Sequence, residues 1–481
     1  MSVYLGQRGY TISKSIIPIE QEEKIRNDLM VKAFLPKSVI QNYPFPIYRE
    51  SKTKFYLPRF YGYDYFTKDP EIKIKQGKPI DLEFTGNLRD YQQRIVDKYV
   101  DYVKDGGGGL LEIDTGLGKT IMALYLISKL NVKTLIIVHK EFLVDQWIER
   151  IQEFLPDASI GKIQGKTIDI ENKTIVIGML QSLSMKSYDQ DIFSDFGFTI
   201  IDEVHHMGAE VFCQALFKIV TRYVLGLSAT MERKDGLTKV FKMFIGDIIH
   251  KEKRDTSATE VVVNAYNYKN DDEEFNEMKY DFRGNPLYST MISKLCACSD
   301  RSEFIIKIIK KEIIQDEKHI IVLGHNKSLL NYLYNAIESR NICSVGYYIG
   351  GMKKDALKES EGKKVIIATY SMASEGLDIK SLNTLIMATP KTDIVQSVGR
   401  ILRSPQSTPT IIDIVDQHDM FKKQYYKRRA FYKKQNYKIK RINNIDTLTS
   451  TVNEEVEESS LKNPFQGKCF IDIKHLDIEV N

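Results

Sequence analysis

The chain is poor in cysteine, in tryptophan and in long apolar runs, and each shortage excludes something. Its 481 residues hold five cysteines, Cys213, Cys296, Cys298, Cys343 and Cys469, too few and too scattered for a disulfide framework or a four-ligand zinc site. Cys296-x-Cys298 is the one close pair, and no second pair stands at metal-ligand spacing. Reduced thiols are expected. No apolar run reaches the roughly 18 to 20 residues that cross a bilayer. The first residues, MSVYLGQRGYTISKSIIPIEQEEK, carry charges where a secretory signal keeps its apolar core. The expectation is an intracellular, soluble protein with no signal peptide and no membrane partner. The single tryptophan, Trp147, beside frequent Lys, Asn, Ile and Tyr, suggests an A+T-rich coding source.

Apolar residues make up 42% of the chain and charged ones 28%, the proportions of a soluble globular protein. At roughly 150 residues per domain the length suggests about three domains. The net charge of +5 conceals its own distribution: Phe421 to Arg441, FKKQYYKRRAFYKKQNYKIKR, holds ten Lys/Arg and no acid, so this stretch carries +10 and the remainder −5. Such focal basicity suits a polyanion. A solvated cationic helix accounts for it equally well.

Residues 1–80 read as an accessory segment, with a charged helical stretch from Gln21 to Lys32, a Tyr/Phe/Pro-rich run and short strands near Thr53 to Leu57. From 81 to 250 the pattern becomes short continuous apolar runs separated by helical spacers: Leu110 to Ile113, Thr134 to Val138, Thr174 to Gly178, Phe198 to Ile201 and Tyr223 to Leu227. Continuous runs mark strands buried on both faces, as in a parallel sheet covered by helices. A second set stands within 302–442: His319 to Gly324, Ser344 to Ile349, Lys364 to Ala368, Thr384 to Met387 and Thr410 to Val415. The fold expected is therefore α/β, with two tandem doubly wound parallel-sheet lobes. Residues 251–301, acidic at Asp271 to Glu274, read as an insertion between the lobes. Residues 443–481 read as a polar, partly disordered tail.

The chemistry gathers at the ends of the runs. LLEI leads at once into DTGLGKT and an apolar helix. A glycine-rich turn between strand and helix offers backbone N–H groups to phosphate, its lysine reaches the terminal phosphates, and its Ser/Thr hydroxyl takes Mg²⁺. Gly116, Gly118, Lys119 and Thr120 fill these roles, with Thr115 and Leu117 in the same turn, although Ile113 replaces the usual opening glycine or alanine. Gly106 to Gly109, with no lysine at the right distance, read instead as a helix end. FTII ends in Asp202-Glu203-Val204-His205, where Asp202 is the metal candidate and Glu203 the general base. The next run ends in Ser228-Ala229-Thr230, beside that acidic pair. Gln396-Ser-Val-Gly-Arg400-Ile-Leu-Arg403 sets two arginines three apart, suited to a γ-phosphate. Those arginines argue against the simplest competitor, a small-molecule kinase.

GNLRDYQQR, DTGLGKT, TLIIVHKEFLVDQW, IVIGMLQSL, DEVHH, LGLSATMERKDG, ATYSMASEGLDI and QSVGRILR stand in the order and spacing of the superfamily-two helicases, which the chain resembles from about Asn87 to Asp416. It looks most like the XPB-type DExH group and the helicases of large DNA viruses, including the poxviral transcript-release helicase. Where XPB-type proteins carry Arg-Glu-Asp, this chain has Arg233-Lys234-Asp235. The resemblance implies RecA-like lobes, ATP and Mg²⁺ as cofactors, and ATP-driven movement on or unwinding of nucleic acid. DNA is favoured as the partner over RNA, and a duplex translocase or remodelling factor that separates no strands is the alternative. It also implies a monomeric motor serving the transcription machinery, in a virion or the cytoplasm of an infected cell. By the same resemblance Gln92 reads adenine, and His205, Ser228 and Thr230 couple hydrolysis to nucleic acid. Gln396, Arg400 and Arg403 close the site, while Thr369, Glu375, Gly376 and Asp378 bridge ATP and the nucleic-acid backbone. His139, Lys140, Gln181 and Ser182 line the strand path.

Overall fold

The computed structural model describes residues 3–33, 43–189, 191–231, 235–254, 260–375, 377, 379–402, 408–443 and 454–457. The chain divides into two compact units, Met1–Asp255 with Ser374–Asp378, and Thr256–Ala373 with Ile379–Asn481.

All five runs expected in the first lobe are strands, and each is hydrogen-bonded in parallel to its neighbours. The sheet order is Thr167–Asp169, Ile160–Gln164, Ile175–Met179, Thr134–Val138, Phe198–Ile201, Tyr223–Ser228, Gly108–Ile113 and Ile248–Glu252. Only Thr167–Asp169 runs antiparallel to its partner. Side chains on successive residues enter different cores: Leu135 and Ile137 pack into one, Ile136 and Val138 into the other. That alternation is why every residue of Thr134–Val138 is buried and why such a strand reads as an unbroken apolar run. Ile160–Gln164 and Ile248–Glu252 escape the sequence pattern because they are only alternately or partly buried.

Residues 1–80 form a five-stranded sheet in the order Arg49–Glu50, Lys54–Leu57, Gly9–Ser13, Val3–Gly6, Glu71–Ile72, with the helices Ile19–Asp28 and Arg59–Tyr65. This segment shares a core with the first lobe. Tyr10, Phe55 and Leu57 belong to the same buried cluster as Leu216, Phe217 and Phe244. Buried Arg59 locks the junction, donating from Nε to the Tyr63 hydroxyl at 3.0 Å and from Nη1 to the Arg222 carbonyl at 3.0 Å. Gly107 sits at φ +77°, where a Cβ would lie 1.9 Å from Arg59 Nη2, so only glycine admits that guanidinium.

In the second unit the sheet order is Val345–Tyr348, Val365–Thr369, Ile320–Gly324, Thr384–Met387, Thr410–Asp416, Val262–Tyr268, Lys438–Ile442 and Glu454–Glu457. The five expected runs are again strands. One expectation needs correction. Residues 251–301 are not simply an insertion: Val262–Tyr268 runs parallel between Thr410–Asp416 and Lys438–Ile442, and the helix Tyr288–Ala297 contributes Met291, Ile292, Leu295 and Cys296 to the core. The basic stretch is part of this unit. It forms the helix Asp419–Lys434, which buries Phe421, Tyr425, Arg428 and Tyr432, and then the strand Lys438–Ile442. Of the expected tail, only residues 454–457 fall among those described, as a strand antiparallel to Lys438–Ile442. No helix among the described residues is long and apolar enough to cross a membrane.

Candidate functional site

The expected first-lobe residues lie at the carboxyl ends of parallel strands, the edge where open α/β sheets bind ligands. Gly108–Ile113 runs into the turn from Asp114 to Gly118 and then into the helix Lys119–Leu130. Gly116 and Gly118 both take φ +85°, a left-handed conformation that turns successive N–H groups inward and that glycine alone adopts at no steric cost. The turn is braced from the neighbouring helix Asp90–Gly106: the Tyr91 hydroxyl and Gln92 Nε2 both donate to the Leu117 carbonyl, at 2.9 and 3.0 Å. Gln92 Oε1 also accepts from the Arg89 N–H at 2.9 Å. A Cβ on Gly118 would stand 2.3 Å from Gln92 Nε2. Gln92, which the resemblance assigns to adenine, thus braces the glycine turn here, and Tyr91 is a second brace that sequence reasoning passed over.

Lys119 leads the helix, its ammonium 3.2 Å from the Ile113 carbonyl and 3.4 Å from Glu203 Oε1. Two strands away in the sheet, Phe198–Ile201 delivers Asp202 and Glu203. Asp202 is buried, and its Oδ2 accepts a hydrogen bond from Trp147 Nε1 at 2.9 Å. Burial pushes its carboxyl up to about 6, and the neighbouring Glu203 charge pushes the same way; the Trp147 hydrogen bond, Lys119 and His139 pull it back. Trp147 is a residue that composition alone had flagged and function had not. It lies 55 positions from its partner on the helix Glu141–Phe154, and no spacing rule connects the two.

Glu203 adopts φ +50°, a left-handed conformation that costs a residue with a side chain of order 1 kcal/mol. Its Oε2 lies 3.4 Å from His205 Nδ1, and that nitrogen is 2.6 Å from the Ser228 hydroxyl. Ser228 Oγ in turn donates to the Thr230 carbonyl at 2.5 Å. Lys119, Glu203, His205, Ser228 and Thr230 are therefore linked in one run of contacts across three strand ends. His139 and Lys140 follow Thr134–Val138, and Gln181 and Ser182 follow Ile175–Met179. Gln181 Nε2 donates to the His139 carbonyl at 3.3 Å, and Ser182 Oγ accepts from the Gly165 N–H at 2.9 Å.

The remaining candidates lie along the second set of strands, where Ser374–Asp378 is grouped with the first unit and the rest with the second. Thr369 ends the strand Val365–Thr369, with its hydroxyl 3.2 Å from that of Ser371, and Glu375 closes the helix Tyr370–Glu375. Gln396 and a buried Arg400 stand on the helix Val395–Ile401. Gly376, Asp378, Arg403, Arg233 and Lys234 lie outside the described residues.

The donor set of the first unit fits a magnesium nucleotide. It offers hard oxygen ligands from Thr120 and Asp202, with no thiolate, beside backbone donors and one lysine for phosphate. The upward push on Asp202 points the same way, because a carboxyl held from its charged form by burial gains most from a cation.

Over residues 85–233 the chain matches the family described as Type III restriction enzyme, res subunit. Its relatives include a protein of Acanthamoeba polyphaga mimivirus named as a candidate ATP-dependent RNA helicase, 39% identical over 447 residues that cover 90% of this chain and 85% of that one. A candidate helicase of Invertebrate iridescent virus 6 is 26% identical over 460 residues, 89% of this chain and 96% of its own. A candidate ATP-dependent RNA helicase of African swine fever virus is 27% identical over 414 residues, 78% and 77% of the two chains. Among solved structures, the Hef helicase domain of Pyrococcus furiosus aligns with a TM-score of 0.46 at 15% identity, over 71% of this chain and 98% of that one. With a 39% identical relative matched along nine tenths of this chain, the chain belongs to the family of ATP-dependent helicases found in large DNA viruses.

Proposed function

We propose that the chain hydrolyses ATP with Mg²⁺ to move along nucleic acid, and that DNA is its track. The observation that carries this reading is the run of contacts from Lys119 through Glu203 and His205 to Ser228 and Thr230. A group that senses the γ-phosphate is thereby tied to a segment outside the phosphate loop, which a simple phosphatase has no need of. Thr115 to Gly118 cradle the phosphates through backbone N–H groups, and Lys119 neutralises the terminal ones. Thr120 and Asp202 hold Mg²⁺, which when bound draws charge from the phosphate oxygens. Glu203 takes the proton of the attacking water, and His205 relays the change in Glu203 to Ser228. His139, Lys140, Gln181 and Ser182 contact the strand through phosphate and sugar, so the grip is largely independent of sequence. Thr369, Glu375, Gly376, Asp378, Gln396, Arg400 and Arg403 are assigned to the same cycle by the family pattern alone.

RNA is the second reading, favoured by the names of the mimivirus and African swine fever virus relatives. ATP hydrolysis by the wild type and Glu203→Gln, measured with no nucleic acid and with single-stranded DNA, duplex DNA or single-stranded RNA, tests both. Stimulation by DNA that drops by about 10²- to 10⁴-fold in the variant is expected. Stimulation by RNA alone moves the assignment to RNA, and hydrolysis indifferent to all three overturns the motor. Displacement of a strand from a forked substrate separates unwinding from translocation alone.

A further inference from the structure

The basic helix Asp419–Lys434 has two faces with different work. Phe421, Tyr425, Arg428 and Tyr432, spaced 4, 3 and 4 apart, form the buried face. Arg428 grips the fully buried Asp413 through Nε and Nη2 at 2.9 and 2.8 Å, and the Tyr432 hydroxyl donates to the same carboxylate at 2.9 Å. Lys423, Lys427 and Lys434 keep the same spacing two positions on, about 200° round the helix and so on its outer side. They are exposed and form no ion pair among the described residues. Lys422 joins them, 4.0 Å from Asp419, which is the one acid in the helix.

We propose that this outer face is a second nucleic-acid contact, a rigid cationic ridge that follows the backbone of duplex DNA. The idea rests on the motor reading and extends it to a surface of the second unit. From Lys423 to Lys434 the ridge spans about 16 Å at 1.5 Å per residue, the rise of about five phosphates along one strand of a duplex. Single strands are held by rows of exposed aromatic rings, and here Tyr425, Tyr432 and Tyr437 are buried while Tyr426 alone is well exposed, at 57%. What the helix presents is charge, and charge fits phosphate.

The test uses the full chain and the triple variant Lys423→Gln, Lys427→Gln, Lys434→Gln, with fluorescent duplex DNA and a single strand of equal length titrated at several salt concentrations. For duplex, the slope of log affinity against log salt is expected to become shallower by about 0.9 for each lysine removed. The single-strand slope and the ATPase without nucleic acid are expected to stay unchanged. An unchanged duplex slope, in a wild type whose ATPase is stimulated by nucleic acid, overturns the ridge and leaves the motor standing. Equal losses on both substrates overturn the duplex assignment. Loss of binding to phosphatidylserine vesicles or polyglutamate, with the duplex slope intact, assigns the ridge to another anion and overturns it too. A wild type with no stimulation by any nucleic acid overturns the motor itself.

Discussion

Asp202 shows how burial raises a carboxyl and one hydrogen bond tempers the rise. The indole of Trp147 spends its single N–H on Asp202 Oδ2, leaving the other carboxylate oxygen for a cation. This bond stabilises the charged form, against burial, which pushes the carboxyl up to about 6. Trp147→Phe is therefore expected to push it higher still. In the proposed cycle Asp202 acts as a carboxylate, so the acid limb of the ATPase pH profile should move to higher pH. A folded-state value raised above the unfolded one means stability that is full at low pH and falls as pH rises through the folded value. The variant should accordingly lose stability, by roughly 1–3 kcal/mol, more at pH 8 than at pH 4.5. Urea unfolding at both pH values in the presence of a chelator measures this, and an equal loss at both would mean that Trp147 only fills space. The glycine turn after Gly108–Ile113 and the acidic pair after Phe198–Ile201 were legible in the sequence because each is written in consecutive residues. Trp147 was not, because its partner is fixed by where one helix lies over the sheet.

Among the elements, strands buried on both faces announced themselves and strands with one wet face did not. Thr134–Val138 and Ile320–Gly324 are buried throughout and read as apolar runs. Val262–Tyr268 alternates through Asn264 and Asn267, and Lys438–Ile442 alternates through Lys438 and Lys440, so polarity disguised both. The helix between Thr410–Asp416 and Lys438–Ile442 hid its buried face for a related reason. Its cations dominate the composition, whereas four buried side chains at helical spacing hold it to the sheet. Arg428 is the critical one. Arg428→Met removes the cation from Asp413, which is fully buried, and is expected to cost about 3–5 kcal/mol because an uncompensated charge remains inside. Denaturant unfolding of the full chain should register that loss, while Lys427→Gln on the opposite face changes stability by no more than about 0.5 kcal/mol. Similar losses from both would mean that the helix has no inner and outer side.

For the molecule as a whole, the question is whether residues 1–80 are an appended module or part of the first lobe. The sequence suggested a separate segment because its Tyr/Phe/Pro-rich composition differs from that of residues 81–250. The packing joins them. Phe55, Leu57, Tyr61 and Tyr63 belong to the cluster that contains Leu216, Phe217 and Phe244, the Arg49 guanidinium lies 5.0 Å from the centre of the Phe217 ring, and Arg59 reaches across to the Arg222 carbonyl. A chain that begins at Asp81 would expose Leu216, Phe217 and Phe244 to water and leave that carbonyl without its donor. Each large side chain returned to solvent forfeits roughly 1.5–3 kcal/mol, and three of them approach the whole 5–15 kcal/mol that holds a typical domain. The truncated chain is thus expected to be insoluble, or to melt many degrees below the full one, before its ATPase can be judged. If it instead melts with the full chain and binds ATP as well, the segment is a module that merely rests on the lobe, and its aromatic core was built for a task apart from the motor's stability.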